Sequence, residues 1–345
     1  MTKSNLLPDI IFRKFNQRKN AKKLIMNTEN MINEEKYVPI GGIEQWITVR
    51  GEDKRNPVLL FIHGGPASTY SIFTPLLKTW EQHFTIVQWE QRGAGKTFKK
   101  NGKEGCGTIT FNQLMEDGIE LSSVICNQLK QDKIILIGSS VGSLIATLMI
   151  KKRPDLFFAY VGTDQNCVDT DKLGYQLAIE ALEQTENTRN LDFLKKIGPD
   201  PSKWTIQEYD KRNQILVKTI KNVPNMIMDL MLPAMLSSPQ HSMMDIVDIF
   251  KGMKFSGNQL FHELMNFDYG ILGKEFTIPF FIFHGDHDII TPTKNAERFF
   301  QEINAPLKEF VYIKNAGHLA CFARPEQFLI ELIEKVRPLA MDSKK

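Results

Sequence analysis

The sequence predicts a mostly parallel α/β sheet domain, flanked by helices and split by an all-helical insertion. Three observations lead there. Short apolar runs alternate with helical periodicity over residues 34–163. Helical periodicity with few β-branched runs then fills residues 164–272, and strand–helix alternation returns over residues 273–345. Ahead of these lies a basic extension, residues 1–33.

In that extension Leu7, Ile11 and Phe15 recur at i, i+4 and i+8, the spacing of one helix face, which predicts an arm packed on the body. Ile40-Gly41-Gly42 reads as a turn leading into a strand at Gln45–Arg50. The continuous run Pro57–Ile62 is what a strand covered on both faces requires, and Phe84–Trp89, Lys133–Ile137 and Phe157–Val161 repeat it. Between them Phe111–Leu129 has helical spacing behind a Thr110/Gln113 capping box, and Ser140–Lys152 is helical until Pro154. The insertion breaks at Gly198-Pro199-Asp200-Pro201, Pro224 and Pro233, and holds eight of the fourteen methionines between Met226 and Met265. Those methionines predict an adaptable apolar wall, or ordinary packing among the inserted helices. The chain ends with a strand at Phe276–Phe283, a helix at Thr293–Ile303, a strand at Leu307–Ile313 and a helix at Glu326–Val336.

Composition narrows the function. Across 345 residues, 43 Lys+Arg oppose 40 Asp+Glu, a net charge of +3 that is too weak to argue for nucleic acid. Residues 1–36 hold eight of those cations against four acids, so the remainder is close to neutral. A 24% charged fraction with 10% aromatics excludes disorder, collagen and coiled coil. Cys106, Cys126, Cys167 and Cys321 show no C-x-x-C pair, which predicts free thiols in a reducing, cytoplasmic setting. The N-terminus has no apolar core of a signal peptide. Ile134–Ile150 is free of charge but short for a bilayer and interrupted by Gly138, Ser139, Ser140, Gly142 and Ser143, so no membrane span is expected.

The chemistry concentrates at strand ends. Gly138-Ser139-Ser140-Val141-Gly142 joins a predicted strand to a predicted helix, and centring on the glycines selects Ser140 as nucleophile. Backbone crowding at such a turn requires small neighbours two residues either side, and the helix N-terminus favours developing negative charge. A serine hydroxyl needs a base, and the base an orienting acid, in the chain order Ser, Asp, His. His318, after the strand Leu307–Ile313, is the expected base; Asp286 and Asp288, in His284-Gly285-Asp286-His287-Asp288, both offer the acid. Four potential ligands packed into five residues cannot converge on one ion, so no metal is expected there. The glycine turn His63-Gly64-Gly65-Pro66 supplies N–H groups: those of Gly65 and Val141 form the expected oxyanion hole. Gly93-Ala94-Gly95-Lys96-Thr97 imitates a phosphate loop, but Glu90 stands where the first glycine belongs.

His63-Gly64-Gly65-Pro66, Gln88-Trp89-Glu90-Gln91-Arg92-Gly93-Ala94-Gly95, Gly138-x-Ser140-x-Gly142, Gly285-x-x-Asp288 and Gly317-His318 together resemble the prolyl aminopeptidase (proline iminopeptidase) group of α/β-hydrolases. The resemblance implies an α/β-hydrolase fold with a helical cap and a Ser140–Asp288–His318 triad, its G-x-x-D spacing favouring Asp288 over Asp286. Ala67 and Glu90 depart from the group's usual glycine and aspartate, and its Trp-Glu cap motif is missing. Glu180, Glu183, Glu186 and Glu208 are cap carboxylates by location alone. The expected activity is therefore a cofactor-free serine hydrolase working through an acyl-enzyme, iminopeptidase-like on small peptides. The alternatives are an esterase, lactonase or thioesterase on a small apolar acyl group, or a non-catalytic ligand-binding hydrolase fold.

Overall fold

Apolar runs buried on both faces must pair with each other, and they do. The computed structural model describes residues 6–185 and 187–341, in which eight strands form one sheet. These are β1 (Ile32–Ile40), β2 (Ile43–Gly51), β3 (Val58–Ile62), β4 (Thr85–Glu90), β5 (Ile134–Ser139), β6 (Phe157–Thr163), β7 (Phe280–Gly285) and β8 (Lys308–Ile313). Their order is β1-β2-β4-β3-β5-β6-β7-β8. β1 and β2 form an antiparallel hairpin and β2 runs antiparallel to β4; every other pairing is parallel. From β3 the chain goes to β4 on one side and then to β5 on the other. That reversal opens a crevice at the carboxyl ends of β3 and β5.

Alternation along each strand sorts the core into two layers. Leu60, Ile62 and Leu136 join the helices Phe111–Leu129 and Val141–Lys152 on one face. Leu59, Phe61, Ile135 and Ile137 join Phe73, Trp80, Phe322 and Phe328 on the other. There the rings of Phe73 and Phe322 stack at 3.9 Å. Each such buried side chain contributes roughly 1.5–3 kcal/mol. The charge-free run Ile134–Ile150 divides into β5 and the helix behind it, and among the described residues no helix is long and apolar enough to cross a membrane.

Buried polar groups fasten the layers. Arg92, from the Gln-Arg-Gly motif, grips Asp117 through Nε (2.9 Å) and Nη2 (3.1 Å). The same guanidinium donates to the carbonyls of Cys106 and Gly41. Glu90 is fully buried; its carboxylate accepts from the Ser71 hydroxyl (2.6 Å) and from the Lys96 amide. The loop that imitates a phosphate cradle is thus bound to the protein's own carboxylate, and Gly95 begins the helix Gly95–Cys106.

Several expectations need correction. Pro279 has no amide to donate, so β7 starts at Phe280 rather than Phe276. Only half of the Thr110 capping box forms, because the Gln113 side chain turns to Asp117 (2.7 Å). Pro233 sits in the first turn of the helix Leu232–Ser237, which continues directly from a π-helical turn over Met226–Met231, and breaks neither. The last helix widens into a π-helical turn over Leu332–Val336. The N-terminal arm does pack on the body, but through polar groups. Arg13, Gln17 and Asn20 donate to carbonyls of His241, Ser238 and Ser237, while Leu7, Ile11 and Phe15 are exposed.

Between β6 and β7 the chain forms the helical cap. Its helices Leu173–Glu183, Thr188–Ile197 and Ile206–Thr219 enclose a small core of Ala178, Leu182, Leu194, Ile215 and Leu216. The helix Met243–Met265 follows and lies against Gly95–Cys106; at the contact Gly252 passes so close that a Cβ there would sit 2.5 Å from the Gly93 carbonyl.

Candidate active site

The turn after β5 holds Ser140 at φ 54°, ψ −128°, a backbone conformation that L-residues adopt only when their surroundings enforce it. The surroundings are tight. A Cβ on Gly142 would lie 2.2 Å from the Ile62 carbonyl, and one on Gly138 2.7 Å from the Ala146 Cβ. Both glycines of the motif are therefore required by close approach. Of the two serines only Ser140 faces the crevice. Ser139 is buried, donating to Asp164 Oδ2 (2.9 Å) and bonded to the Tyr70 hydroxyl (2.8 Å).

The turns after β7 and β8 bring two further groups to the same point. His318 Nε2 lies 3.0 Å from Ser140 Oγ, and its Nδ1 lies 2.8 Å from Asp288 Oδ2. Asp288 is fixed in turn: Oδ1 accepts from the amides of Ile290 (2.8 Å) and Thr291 (3.1 Å), and Oδ2 from the Thr291 hydroxyl (2.8 Å). Asp286 points elsewhere, bonding His287 Nδ1 (2.7 Å) and the Ala316 amide (3.2 Å). His284 is fully buried, accepting from the Gln165 amide and donating to the Thr291 carbonyl, while the His287 side chain is half exposed. His284 Nε2 stays 3.6 Å from Asp288 Oδ2, whereas Asp286 and His287 turn away and bond each other.

Asp164, which the sequence reading did not single out, is a third member of the buried charge cluster. It follows β6 at φ 52°, and its ligand atoms lie within 4.8 Å of those of Asp288 and His318. Its position at the carboxyl end of a parallel strand was the available signal. Burial raises the Asp164 pKa, and the Asp288 charge adds to that. Asp288 is also buried, yet the facing His318 outweighs desolvation and holds its pKa below the usual carboxylate range. For His318, burial pulls downward, but the carboxylates of Asp288 and Asp164 together lift its pKa to about 9.

Gly64 and Gly65 close the other side of the nucleophile. A Cβ on Gly64 would lie 2.7 Å from the Ser140 Cβ. The turn is held by His63, whose Nε2 accepts the Gln91 amide (3.3 Å) while Gln91 returns a bond to the His63 carbonyl (3.0 Å). Burial depresses the His63 pKa to about 4, so this imidazole is neutral and structural. Val141 is the first residue of its helix, and among the described residues neither its amide nor that of Gly65 is bonded to another protein group.

Above Ser140 lies a cavity of about 380 Å³. Ser140, Val141, Gln165 and Thr291 line its floor; Tyr175, Trp204, Tyr209, Arg212, Phe267 and Tyr269 come from the cap and its return to the sheet.

A family model for the alpha/beta hydrolase fold matches residues 57–325. The chain belongs to the α/β-hydrolase family. A probable aminopeptidase of Bacillus subtilis (strain 168), YbaC, is 29% identical over 310 residues, spanning 88% of this chain and 96% of its own. The structure of a proline iminopeptidase-related protein from Thermus thermophilus superposes with a TM-score of 0.58 at 19% identity, covering 90% of this chain and 99% of that one. A bacterial membrane phospholipase A superposes equally well, with a TM-score of 0.61 at 16% identity over 98% and 92% of the two chains. These structures share the fold, and the fold alone does not distinguish a substrate. With a serine, a histidine and buried carboxylates in hydrogen-bonded proximity, this α/β-hydrolase is a serine hydrolase.

The cap glutamates stay clear of the cavity, and the methionines mostly follow the packing alternative. Glu180 and Glu183 are exposed, Glu208 is taken up in a capping box with Thr205, and Glu186 lies outside the described residues. None of the three described glutamates lines the cavity; its acids are Asp169 and Asp200. Nor do the methionines form its wall. Met265 alone of the eight reaches it, while Met231 and Met235 are buried against the sheet layer and Met243 and Met244 are exposed. Aromatic side chains take their place because the helices that roof the cavity precede and follow the Met-rich stretch.

Proposed function

We propose that the hydrolase cleaves short peptides from their amino terminus, in the manner of a proline iminopeptidase, through Ser140, His318 and Asp288. The observation that carries the mechanism is the unbroken line from Ser140 Oγ to His318 to Asp288 at the cavity floor. Ser140 Oγ attacks the carbonyl carbon and its proton passes to His318 Nε2, while Asp288 steadies the imidazolium. The N–H groups of Gly65 and Val141 receive the oxyanion, each contributing about 3 kcal/mol. His318 then protonates the leaving amine as the C–N bond breaks. A water gives its proton to His318, its oxygen attacks the acyl-enzyme carbonyl, and Ser140 leaves protonated.

The amino-terminal specificity draws on the Bacillus relative and on one feature of the cavity. Asp169 lines it, with its carboxylate set on the amides of Leu173 (2.7 Å) and Gly174 (2.8 Å) and in no ion pair among the described residues. That is an anion positioned for a substrate ammonium. The four cysteines are free, which supports a reducing, cytoplasmic setting.

The test compares wild type with Ser140→Ala on a proline arylamide and on a short acyl ester. Turnover of the arylamide that Ser140→Ala abolishes supports the peptidase reading. Turnover of the ester alone leaves the serine hydrolase without the peptidase specificity.

A further inference from the structure

One cation in the cavity is not accounted for by the reaction above. Arg212, on the cap helix Ile206–Thr219, is only 8% exposed and lines the cavity that Ser140 opens into. Its guanidinium stands over the Trp204 ring, with Cζ 5.4 Å from the centroid. An arginine carries five N–H donors in a planar fork. Here one hydrogen bond is made, from Nη1 to Asn213 Oδ1 at 2.9 Å. No carboxylate among the described residues forms an ion pair with it; Asp169 acts on it only through space. Both Asp169 oxygens are already engaged by backbone amides. Gly174 lies beside both charges: a Cβ there would come within 3.1 Å of Asp169 Oδ2 and 3.5 Å of Arg212 Nη2. Burial lowers the guanidinium's pKa, and Tyr209 and Asp169 oppose that through space without bonding it.

A buried guanidinium with most of its donors free and no carboxylate bonded to it is unfavourable unless something supplies one. The planar fork matches a carboxylate in bidentate geometry better than any neutral group. We propose that Arg212 is the carboxylate-binding residue of this cavity, so that the substrate carries a free carboxylate close to the bond Ser140 attacks. This rests on the serine-hydrolase reading. For a peptide, the carboxylate is the C-terminus of a di- or tripeptide, and long chains are excluded. For an ester, it is the free acid of a dicarboxylate half-ester.

Two substrate pairs separate these sources: a prolyl dipeptide against its C-terminal amide, and a short dicarboxylate monoester against its diester. We expect the carboxylate member of the working pair to lead in kcat/KM by about 30-fold or more, mainly through KM. In Arg212→Gln that lead collapses, and Arg212→Lys restores part of it. A packing role alone would lower both members together and leave their ratio intact. If the peptide pair turns over, the peptidase reading stands as well; if only the ester pair does, that reading fails while the role of Arg212 holds. Equal rates in wild type, or a preference that survives Arg212→Gln, overturn the proposal. Should no compound turn over, calorimetry on Ser140→Ala decides. Carboxylate binding that disappears with Arg212→Gln supports the proposal, and absence of binding overturns it.

Discussion

The floor and the roof of the cavity are built on different principles. On the floor, Ser140, His318, Asp288 and Asp164 follow four different parallel strands and form one buried cluster: His318 bonds Ser140 and Asp288, and Asp164 faces His318 with its own bonds to Ser139 and Ala320. In the roof, Asp169 and Arg212 line the same space with opposite charges and do not pair. A floor of mutually satisfied groups can carry out a reaction without knowing the substrate. A roof whose charges have no ion-pair partner is where a charged substrate would find one. On the proposal above, the sheet supplies the reacting groups and the insertion the charges that would choose among substrates.

The sharpest way to break this division is at the nucleophile. Ser140→Ala should lower kcat/KM about 10⁴-fold or more, because serine and base act as a unit. Its effect on the urea midpoint should be small. The adjacent Ser139→Ala should do the reverse, weakening the Tyr70–Ser139–Asp164 bonds and lowering stability while Ser140 still reacts with a fluorophosphonate. If the two serines exchanged these effects, the floor would be wrongly assigned.

Next in size is the acid. Asp288→Asn should reduce kcat/KM about 10³–10⁴-fold: with its oxygen held by the Ile290 and Thr291 amides, its NH2 donates to His318 Nδ1 and leaves the proton on Nε2, which then cannot take one from Ser140. Asp286→Asn should stay within about tenfold of wild type. Steady-state kinetics on the two variants distinguishes the carboxylates.

Those two aspartates also mark how far the sequence could be read. Strand–helix alternation and G-x-S-x-G located Ser140 because the steric demands of that turn leave a local signature. Periodicity could not choose between Asp286 and Asp288, which are two residues apart on one turn; the spacing of a resembling family favoured Asp288. Asp164 left only its place at the end of a strand, since its importance arises when β6 and β7 lie side by side. The roof was least legible. Arg212 and Asp169 look like solvated charges in the sequence, and their meaning depends on how cap helices fold back over the sheet. Inserted helices satisfy few fixed spacings, so neither the glutamates nor the methionines of the cap announced their distance from the site.

A smaller effect, on stability, is expected beneath the floor. Asp117 is fully buried and accepts from Arg92, Gln45 and Gln113. Asp117→Ala leaves the Arg92 guanidinium buried without its counter-ion, which should cost roughly 3–5 kcal/mol. Denaturant unfolding measures it. The Ser140 chemistry of the molecules that remain folded should be little changed, because this pair supports the motif turn from behind the sheet.

The smallest change probes how floor carboxylates set the base. His318 accepts a proton from Ser140 only when its imidazole is neutral, and a pKa raised to about 9 places the acid limb of kcat/KM on the alkaline side. Asp288 and Asp164 both contribute to that elevation. Asp164→Asn removes one charge and conserves the shape. The new amide can accept from the Ala320 N–H and donate to Ser139 Oγ, whose hydroxyl then turns to Tyr70, so the bonds survive by reversing direction. With less negative charge nearby the imidazolium loses stabilisation, its pKa falls, and the acid limb moves to lower pH by about one unit. A kcat/KM profile between pH 5 and about pH 10 reads the shift directly. An unmoved limb would mean that Asp164 is protonated throughout and acts on the site through its hydrogen bonds alone.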